Sequence, residues 1–215
     1  MNETTFNIQK RIHGILFDFD GTLTSPGAID FGAIKQAINC PVDHPILEYL
    51  DALSPAQRAP LQKILEDMEE EAARESLPND GAEAFLLTLK DMGLPMAILT
   101  RNSLKSVYLA LDRFKGICAE DFAAIITRDD SLPKPHPDGV YQAAGRMGVS
   151  VTRLLMVGDF RFDILCGKAA GAPTVLLALG GESVMHPGDP APDYTVNRLM
   201  EILDIVVHPP MVSRL

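Results

Sequence analysis

The fold is decided by residues 14–23, GILFDFDGTL, in which a short apolar run ends at two aspartates and a glycine. Consecutive apolar residues bounded by polar ones are typical of a buried strand, so we expect a strand over residues 14–17. Residues i and i+2 of an extended chain point to the same side, which brings the Asp18 and Asp20 carboxylates together. Gly21 then allows the chain to turn away. The stretch therefore predicts a strand that delivers two carboxylates to one edge of a sheet.

Similar apolar runs recur along the chain and alternate with helical patterns. They predict strands at residues 96–99, 124–126, 154–157 and 174–177, with a weaker strand at 194–196. The segments between them predict helices at residues 84–92, 103–114, 138–147, 162–170 and 198–207. Strands that alternate with helices indicate an α/β fold, with a Rossmann-like, doubly wound parallel sheet covered on both faces.

Residues 25–80 interrupt this alternation, because they contain no strand-like run. Apolar residues at helical spacing predict three helices there, the third beginning at Ser54 as its N-cap. We therefore divide the chain into an α/β core, residues 1–24 and 81–215, and a small all-helical domain inserted after the first strand. This helical insert comprises residues 25–80. Its acidic run Glu69–Glu71 is expected to be a solvated helix face.

The composition argues against several classes of protein. The net charge of -10 disfavours a nucleic-acid binder, which needs a basic face to neutralise phosphates. Three cysteines without CxxC spacing disfavour a disulfide framework or a zinc site and fit a reducing compartment. No apolar run of about 18 residues occurs, and Met1–Lys10 lacks the apolar core of a signal peptide. We expect a cytoplasmic protein with no membrane partner.

Two polar residues near strand ends suit phosphate chemistry. Thr100 follows the second predicted strand, and its hydroxyl and the backbone amides after it, which open a helix, form a phosphate-binding corner. Lys134 lies in the loop after the third strand, between two prolines that stiffen it. A lysine there can balance an anionic nucleophile and the oxygens of a transferring phosphoryl group. Each residue alone also fits an ordinary strand end or surface turn.

A second pair of aspartates, Asp159 and Asp163, follows the fourth predicted strand. Parallel strands end at a common edge of the sheet, so we expect these carboxylates near Asp18 and Asp20. Such a cluster is unstable unless protons or a cation offset the repulsion. A few hard oxygen ligands suit Mg²⁺, which also binds substrate phosphate. Either aspartate alone could instead cap a helix, and the order of the residues at successive strand ends is what favours a common site.

Together these motifs resemble those of the haloacid dehalogenase superfamily of phosphohydrolases. Residues 18–24, DFDGTLT, are similar to its first motif, Thr100 to the second, Lys134 to the third, and Asp159 with Asp163 to the fourth. The resemblance covers nearly the whole chain, and the first motif is the most specific. The helical insert is similar to the small cap of the phosphoglycolate-phosphatase-like branch.

The resemblance implies a role for each residue. Asp18 is expected to attack phosphorus and form an aspartyl-phosphate, while Asp20 acts as general acid and then as base. Thr100 is expected to hold a phosphoryl oxygen, and Lys134 to orient Asp18. The residues expected to contact the substrate phosphate are Gly21, Arg101 and Asn102. The expected Mg²⁺ ligands are Asp18, Asp20 through its backbone carbonyl, Asp159 and Asp163.

The implied activity is hydrolysis of a small phosphate monoester, phosphoglycolate-like or a sugar phosphate. A sugar phosphomutase of the same superfamily stays open, although the acidic insert does not favour a bisphosphate intermediate. A non-catalytic phosphate- or partner-binding module also stays open, and the presence of both Asp18 and Asp20 disfavours it. Two departures from the family pattern are Phe160-Arg161, where small residues are frequent, and Arg101, and either arginine could contact a substrate anion.

Overall fold

The computed structural model describes residues 12–180 and 184–207, which contain six strands and eight α-helices. The strands are β1 (Gly14–Phe17), β2 (Met96–Leu99), β3 (Ala124–Ile126), β4 (Leu154–Gly158), β5 (Thr174–Leu177) and β6 (Tyr194–Val196). The helices are α1 (Phe31–Ala37), α2 (Ile46–Asp51), α3 (Pro55–Glu75), α4 (Ala82–Asp91), α5 (Leu104–Leu111), α6 (Asp138–Met147), α7 (Arg161–Ala170) and α8 (Ile202–Val207). No helix in this part of the chain is long and apolar enough to span a membrane.

The strands form one parallel sheet in the order β3-β2-β1-β4-β5-β6. The chain runs outward from β1 to β3 on one side, then returns so that β4 pairs with the other edge of β1. The strand order therefore reverses between β1 and β4, and open α/β sheets bind ligands in the crevice beyond the strand ends at such a point. The predicted Rossmann-like sheet is confirmed.

Helices cover both faces of the sheet. Because successive side chains of a strand point to opposite sides, neighbouring residues of one strand pack against different sets of helices. Ile15 and Phe17 of β1 belong to an apolar cluster that includes residues of α4, α5 and α8. Leu16, between them, belongs to a second cluster with residues of α6 and α7. Strands β1, β2, β4 and β5 are buried at every residue, which is why they appear in the sequence as continuous apolar runs, whereas Thr195 of the edge strand β6 is exposed.

The helical insert lies between β1 and α4 and has an apolar cluster of its own. Its fully buried members come from α1, α2, α3 and the loop between the first two helices: Ile34, Ile38, Cys40, Ile46, Leu50 and Leu65. Its two connections to the core run antiparallel. The amide of Ser25 donates to the carbonyl of Leu77 at 2.8 Å, and the amide of Asn79 donates to the carbonyl of Leu23 at 2.8 Å.

The helix ends differ slightly from those predicted. Helix α4 begins at Ala82, two residues early, and α5 ends at Leu111, although Phe114 beyond it is still buried. The last predicted helix opens with a 3₁₀ turn, Leu199–Glu201, before α8. The segment used to argue against a signal peptide, Met1–Lys10, lies outside the described residues.

The prediction of a solvated face at Glu69–Glu71 is wrong for its first residue. Glu69 is only 3% exposed, and the guanidinium of Arg128, in the loop after β3, donates to both of its carboxylate oxygens at 2.7 and 2.8 Å. Burial of the carboxylate raises the pKa of Glu69, and the arginine opposes this rise. Glu69 lies four residues after the buried Leu65 and four before the buried Ala73, so helical spacing places it on the inner face of α3.

Candidate active site

Three carboxylates converge at the crevice between β1 and β4. Asp18 directly follows β1, and its amide donates to the carbonyl of Val157 in β4 at 2.8 Å, which ties it to the neighbouring strand. Asp159 directly follows β4, and Asp163 lies in the first turn of α7. One oxygen from each of these three aspartates lies within 4.8 Å of the others.

Lys134 reaches this group from the loop between β3 and α6. Its ammonium donates to a carboxylate oxygen of Asp18 and, at 2.7 Å, to one of Asp163. The lysine is 3% exposed. Burial alone would lower its pKa, but the Asp163 and Asp18 carboxylates outweigh that effect and raise it, so the side chain stays charged.

Two glycines let the backbone approach these carboxylates closely. Gly21 has a φ of +82°, and a Cβ atom on it would overlap the Asp159 carboxylate. A Cβ atom on Gly158 would overlap the carboxylate of Asp163. Next to Gly21, the hydroxyl of Thr22 donates to Asp159 at 3.1 Å. The glycines therefore serve the packing of the site, a role that adds to the turn expected at Gly21.

Asp20 points toward a separate group of donors at the end of β2. The side-chain amide of Asn102 donates to its carboxylate at 2.8 Å, and the hydroxyl of Thr100 lies 3.4 Å from the same oxygen. Burial, and next the charge of Asp18, raise the pKa of Asp20 to about 7. A carboxyl with that pKa can carry a proton near neutral pH, which is what a general acid requires.

The three-carboxylate group fits a hard divalent cation. Burial in the first place, and the neighbouring carboxylates of Asp18 and Asp163 in the second, raise the pKa of Asp159 to about 8. The pKa of Asp163 is raised to about 6, again chiefly by burial. A single ammonium thus does not balance three clustered carboxylates, and their oxygens are the ligands that Mg²⁺ prefers. The side chain of Asp20 stands outside this group, so its expected contact with the metal would come from its backbone carbonyl.

The chain matches the model of the haloacid dehalogenase-like hydrolase family over residues 15–177. It belongs to this family. It is 30% identical to an uncharacterised hydrolase of Saccharomyces cerevisiae, over 92% of each chain. It is 36% identical to the phosphoglycolate phosphatase of Neisseria meningitidis, over 59% of this chain and 55% of that one. A hydrolase from Pseudomonas syringae superposes with a TM-score of 0.75 at 23% identity, covering 93% of this chain and 99% of that one.

Both arginines near the site of this haloacid dehalogenase-like hydrolase are bound by carboxylates. Arg101 donates to the two oxygens of Glu48 in α2 at 3.0 and 2.6 Å, which joins the core to the helical insert. Arg161 donates to the two oxygens of Asp189 at 2.9 and 2.7 Å. Both guanidiniums also lie over the ring of Phe162, at 5.2 and 5.6 Å from its centroid. Both side chains are thus bound by groups of the protein itself. The expected contact between Arg101 and the substrate phosphate would therefore be made by the backbone amide of Arg101, and it stays a prediction.

All the predicted acidic and basic site residues line one cavity of about 530 Å³. The side chains that line the rest of this cavity were not predicted from the sequence. Among these are Glu69 and the aromatic residues Phe31, Phe160 and Phe162. Helical spacing could have placed Glu69, as described above. Phe160 was noted only as part of a departure from the family pattern, and Phe162 only as the start of a predicted helix.

The raised carboxyl pKa values predict how the stability of the metal-free hydrolase depends on pH. Between pH 5 and 8 the folded protein holds protons on Asp20, Asp159 and Asp163 that the unfolded chain has released, so the free energy of unfolding falls as pH rises. Lys134 does not contribute to this pH dependence of the free energy of unfolding, because it is charged in both the folded and the unfolded protein between pH 5 and 8. Mg²⁺ should therefore raise the unfolding temperature by at least about 5 °C more at pH 8 than at pH 5.

Thermal unfolding with a chelator or with Mg²⁺, at both pH values, measures this difference. Na⁺ at matched ionic strength is the control. A chelated protein that unfolds at the same or a higher temperature at pH 8 than at pH 5 would contradict the pKa assignment.

Proposed function

We propose that the protein is a Mg²⁺-dependent phosphatase that hydrolyses a small phosphate monoester through an aspartyl-phosphate on Asp18. The observation that carries the proposal is the arrangement around that carboxylate. The ammonium of Lys134 contacts it, two further aspartates lie beside it, and Asp20, whose pKa is raised to about 7 by burial, lies two residues away in the same cavity. This set combines a nucleophile, an acid and the charges that phosphoryl transfer needs.

In the first step, a carboxylate oxygen of Asp18 forms a bond to phosphorus while the bond from phosphorus to the ester oxygen breaks. Asp20 gives its proton to the departing oxygen, which leaves as the alcohol. In the second step, Asp20 accepts a proton from water, and the water oxygen attacks phosphorus. The acyl-phosphate bond then breaks, so that inorganic phosphate leaves and the Asp18 carboxylate is restored.

The surrounding side chains hold these groups in place. Lys134 orients the Asp18 carboxylate and offsets negative charge on the phosphoryl oxygens. The hydroxyl of Thr100 and the backbone amide of Asn102 lie at the end of β2, where they can hold a phosphoryl oxygen. Mg²⁺, held by Asp18, Asp159, Asp163 and the Asp20 carbonyl, would supply further positive charge to the phosphate.

The relatives support a phosphatase over the alternatives. One of them is named a phosphoglycolate phosphatase, and no specific contact in the described residues favours a mutase. We further propose that residues 25–80 act as a separate cap domain over the site. The free cysteines Cys40, Cys118 and Cys166 support a reducing, cytoplasmic setting.

The test of the proposal is phosphate release by the purified protein with Mg²⁺ over sugar phosphates, nucleotides, phospho-acids and 4-nitrophenyl phosphate. Turnover of at least one ester, abolished by a chelator and restored by Mg²⁺, is the expected result. No release from any ester would refute the proposal.

The metal assignment gives a prediction of its own for Asp159. Asp159→Asn keeps the shape of the side chain but removes its charge, so the Mg²⁺ concentration for half-maximal activity should rise about 100-fold. Isothermal titration of Mg²⁺ measures the same loss directly. Asp112→Asn, which alters an exposed aspartate away from the site, is the control. If Mg²⁺ affinity were unchanged in the Asp159 variant, the assignment of Asp159 as a ligand would be wrong.

A further inference from the structure

The cavity above the carboxylates is much larger than a phosphate group. Its volume of about 530 Å³ lies within the range of roughly 300–1,000 Å³ that is typical of sites for drug-sized ligands. Most of the lining beyond the reacting groups is apolar and comes from the helical insert and the start of α7. These side chains are Phe31, Ile46, Leu47, Leu65, Phe160 and Phe162. A two-carbon acid would leave most of this apolar surface uncovered.

Two of the aromatic rings in this lining are exposed. Phe31, at the start of α1, is 53% exposed, and Phe160, at the start of α7, is 44% exposed. Both line the cavity, and Phe160 meets Phe162 edge to face with 5.2 Å between ring centroids. Exposed aromatic side chains that gather at a cavity indicate a surface that a ligand covers. The position of this surface, in the same cavity as Asp18, identifies the ligand as the substrate.

The cavity offers a poor environment for a second anionic group on that substrate. Arg101 and Arg161, the cations nearest the reacting groups in sequence, are each held by both oxygens of a carboxylate. Glu69 also lines the cavity, and its carboxylate is already paired with the guanidinium of Arg128. Burying a substrate carboxylate without a free cationic partner costs several kcal/mol. Lys35 also lines the cavity at a partly exposed position, where its ammonium donates to the neutral Val42 carbonyl and keeps its charge, so a variant at Lys35 has to test whether it binds a substrate carboxylate.

From these observations we infer that the substrate is the phosphate ester of an uncharged alcohol that carries an apolar ring, and not a phosphorylated carboxylic acid. This inference rests on the proposed phosphatase function. The phosphate binds at Asp18 and Lys134, and the ring of the alcohol covers Phe31 and Phe160. An anionic alcohol would have to bind there without a guanidinium partner, because Arg101 and Arg161 are both paired. The specificity therefore comes from the apolar lining and from the neutralisation of the two arginines.

Three phosphate esters test this specificity: 2-phenylethyl phosphate, ethyl phosphate and 2-phosphoglycolate. In each of them the bond that breaks joins phosphorus to the oxygen of a primary alcohol, so the leaving groups are similar. We expect kcat/KM for the phenylethyl ester to exceed that of each of the others at least about tenfold, mainly through a lower KM. Turnover of 4-nitrophenyl phosphate is measured beside them as the general test of phosphatase activity.

Two variants locate the effect in the cavity. Phe31→Ala should reduce the ratio of kcat/KM for phenylethyl over ethyl phosphate about fivefold, because it removes one ring from the lining. Tyr141→Ala removes an exposed aromatic ring that does not line the cavity, and it should leave the ratio unchanged. Lys35→Ala should not lower kcat/KM for phosphoglycolate by more than about twofold, because Lys35 is not expected to bind its carboxylate.

The results separate the inference from the function on which it rests. If 4-nitrophenyl phosphate is hydrolysed but phosphoglycolate equals or exceeds the phenylethyl ester, the inference is overturned and the phosphatase function stands. If no ester is hydrolysed, the phosphatase function fails. Calorimetric binding of the two esters in the presence of Mg²⁺ then decides the inference, which is overturned unless the phenylethyl ester binds more tightly.

Discussion

Replacing Asp18 by asparagine is expected to abolish turnover, lowering kcat by roughly 10⁴-fold or more. The amide of asparagine is a poor nucleophile toward phosphorus and cannot form the acyl-phosphate. The fold should persist, since asparagine has the same shape. The change also removes one charge from the three-carboxylate group, so the unfolding temperature should hold or rise in the absence of Mg²⁺.

Steady-state hydrolysis of 4-nitrophenyl phosphate and a thermal melt measure the two effects of Asp18→Asn separately. Asp91→Asn, which changes an exposed aspartate at the end of α4, is the matched control and should retain full activity. A variant at Asp18 that keeps more than about a hundredth of the activity would refute its assignment as the nucleophile.

Replacing Lys134 by methionine should damage both activity and stability. The loss of the ammonium leaves Asp18 and Asp163 buried without a counter-charge, which is expected to cost about 3–5 kcal/mol. For a chain of this size that corresponds to a fall of about 10 °C in the unfolding temperature. The loss of charge beside the transferring phosphoryl group should lower kcat about 10²–10³-fold.

The pH dependence of the Lys134→Met variant distinguishes lost charge from lost packing. The raised pKa of Asp163 means that protons can replace the ammonium at low pH, so the stability loss should be smaller at pH 5 than at pH 8. Thermal unfolding of the variant in the presence of a chelator, at both pH values, tests this expectation. Lys115→Met, at an exposed lysine, should melt like the parent protein. A loss of equal size at both pH values would indicate that Lys134 acts by packing alone.

The sheet and the helical insert could be predicted from the sequence because their physical signals are local. Strands β1, β2, β4 and β5 are buried at every residue and appear as short, mainly apolar runs. The helices carry their apolar residues at helical spacing, as Leu61, Leu65 and Met68 do in α3. The order of the strands has no such local signal, and the position of the site at the reversal between β1 and β4 emerged only from the structure.

The common location of the site residues was predictable for a related reason. Residues that directly follow parallel strands must meet at one edge, so Asp18, Thr100 and Asp159 could be placed together before their contacts were known. Pairings between distant segments could not be predicted in this way. Arg101 and Glu48 lie 53 residues apart, and nothing in either local sequence indicates that a carboxylate of the insert would neutralise that arginine.

The most direct test of the central claim is to trap the covalent intermediate on the Asp20→Asn variant. Nitrophenolate leaves without an acid, so the first step with 4-nitrophenyl phosphate should proceed. The second step should slow, because the variant lacks the base that activates water. We predict a burst of one nitrophenolate per protein molecule and, after acid quench and borohydride reduction, homoserine at residue 18. Continued hydrolysis with no burst, and with residue 18 recovered unmodified, would contradict the account.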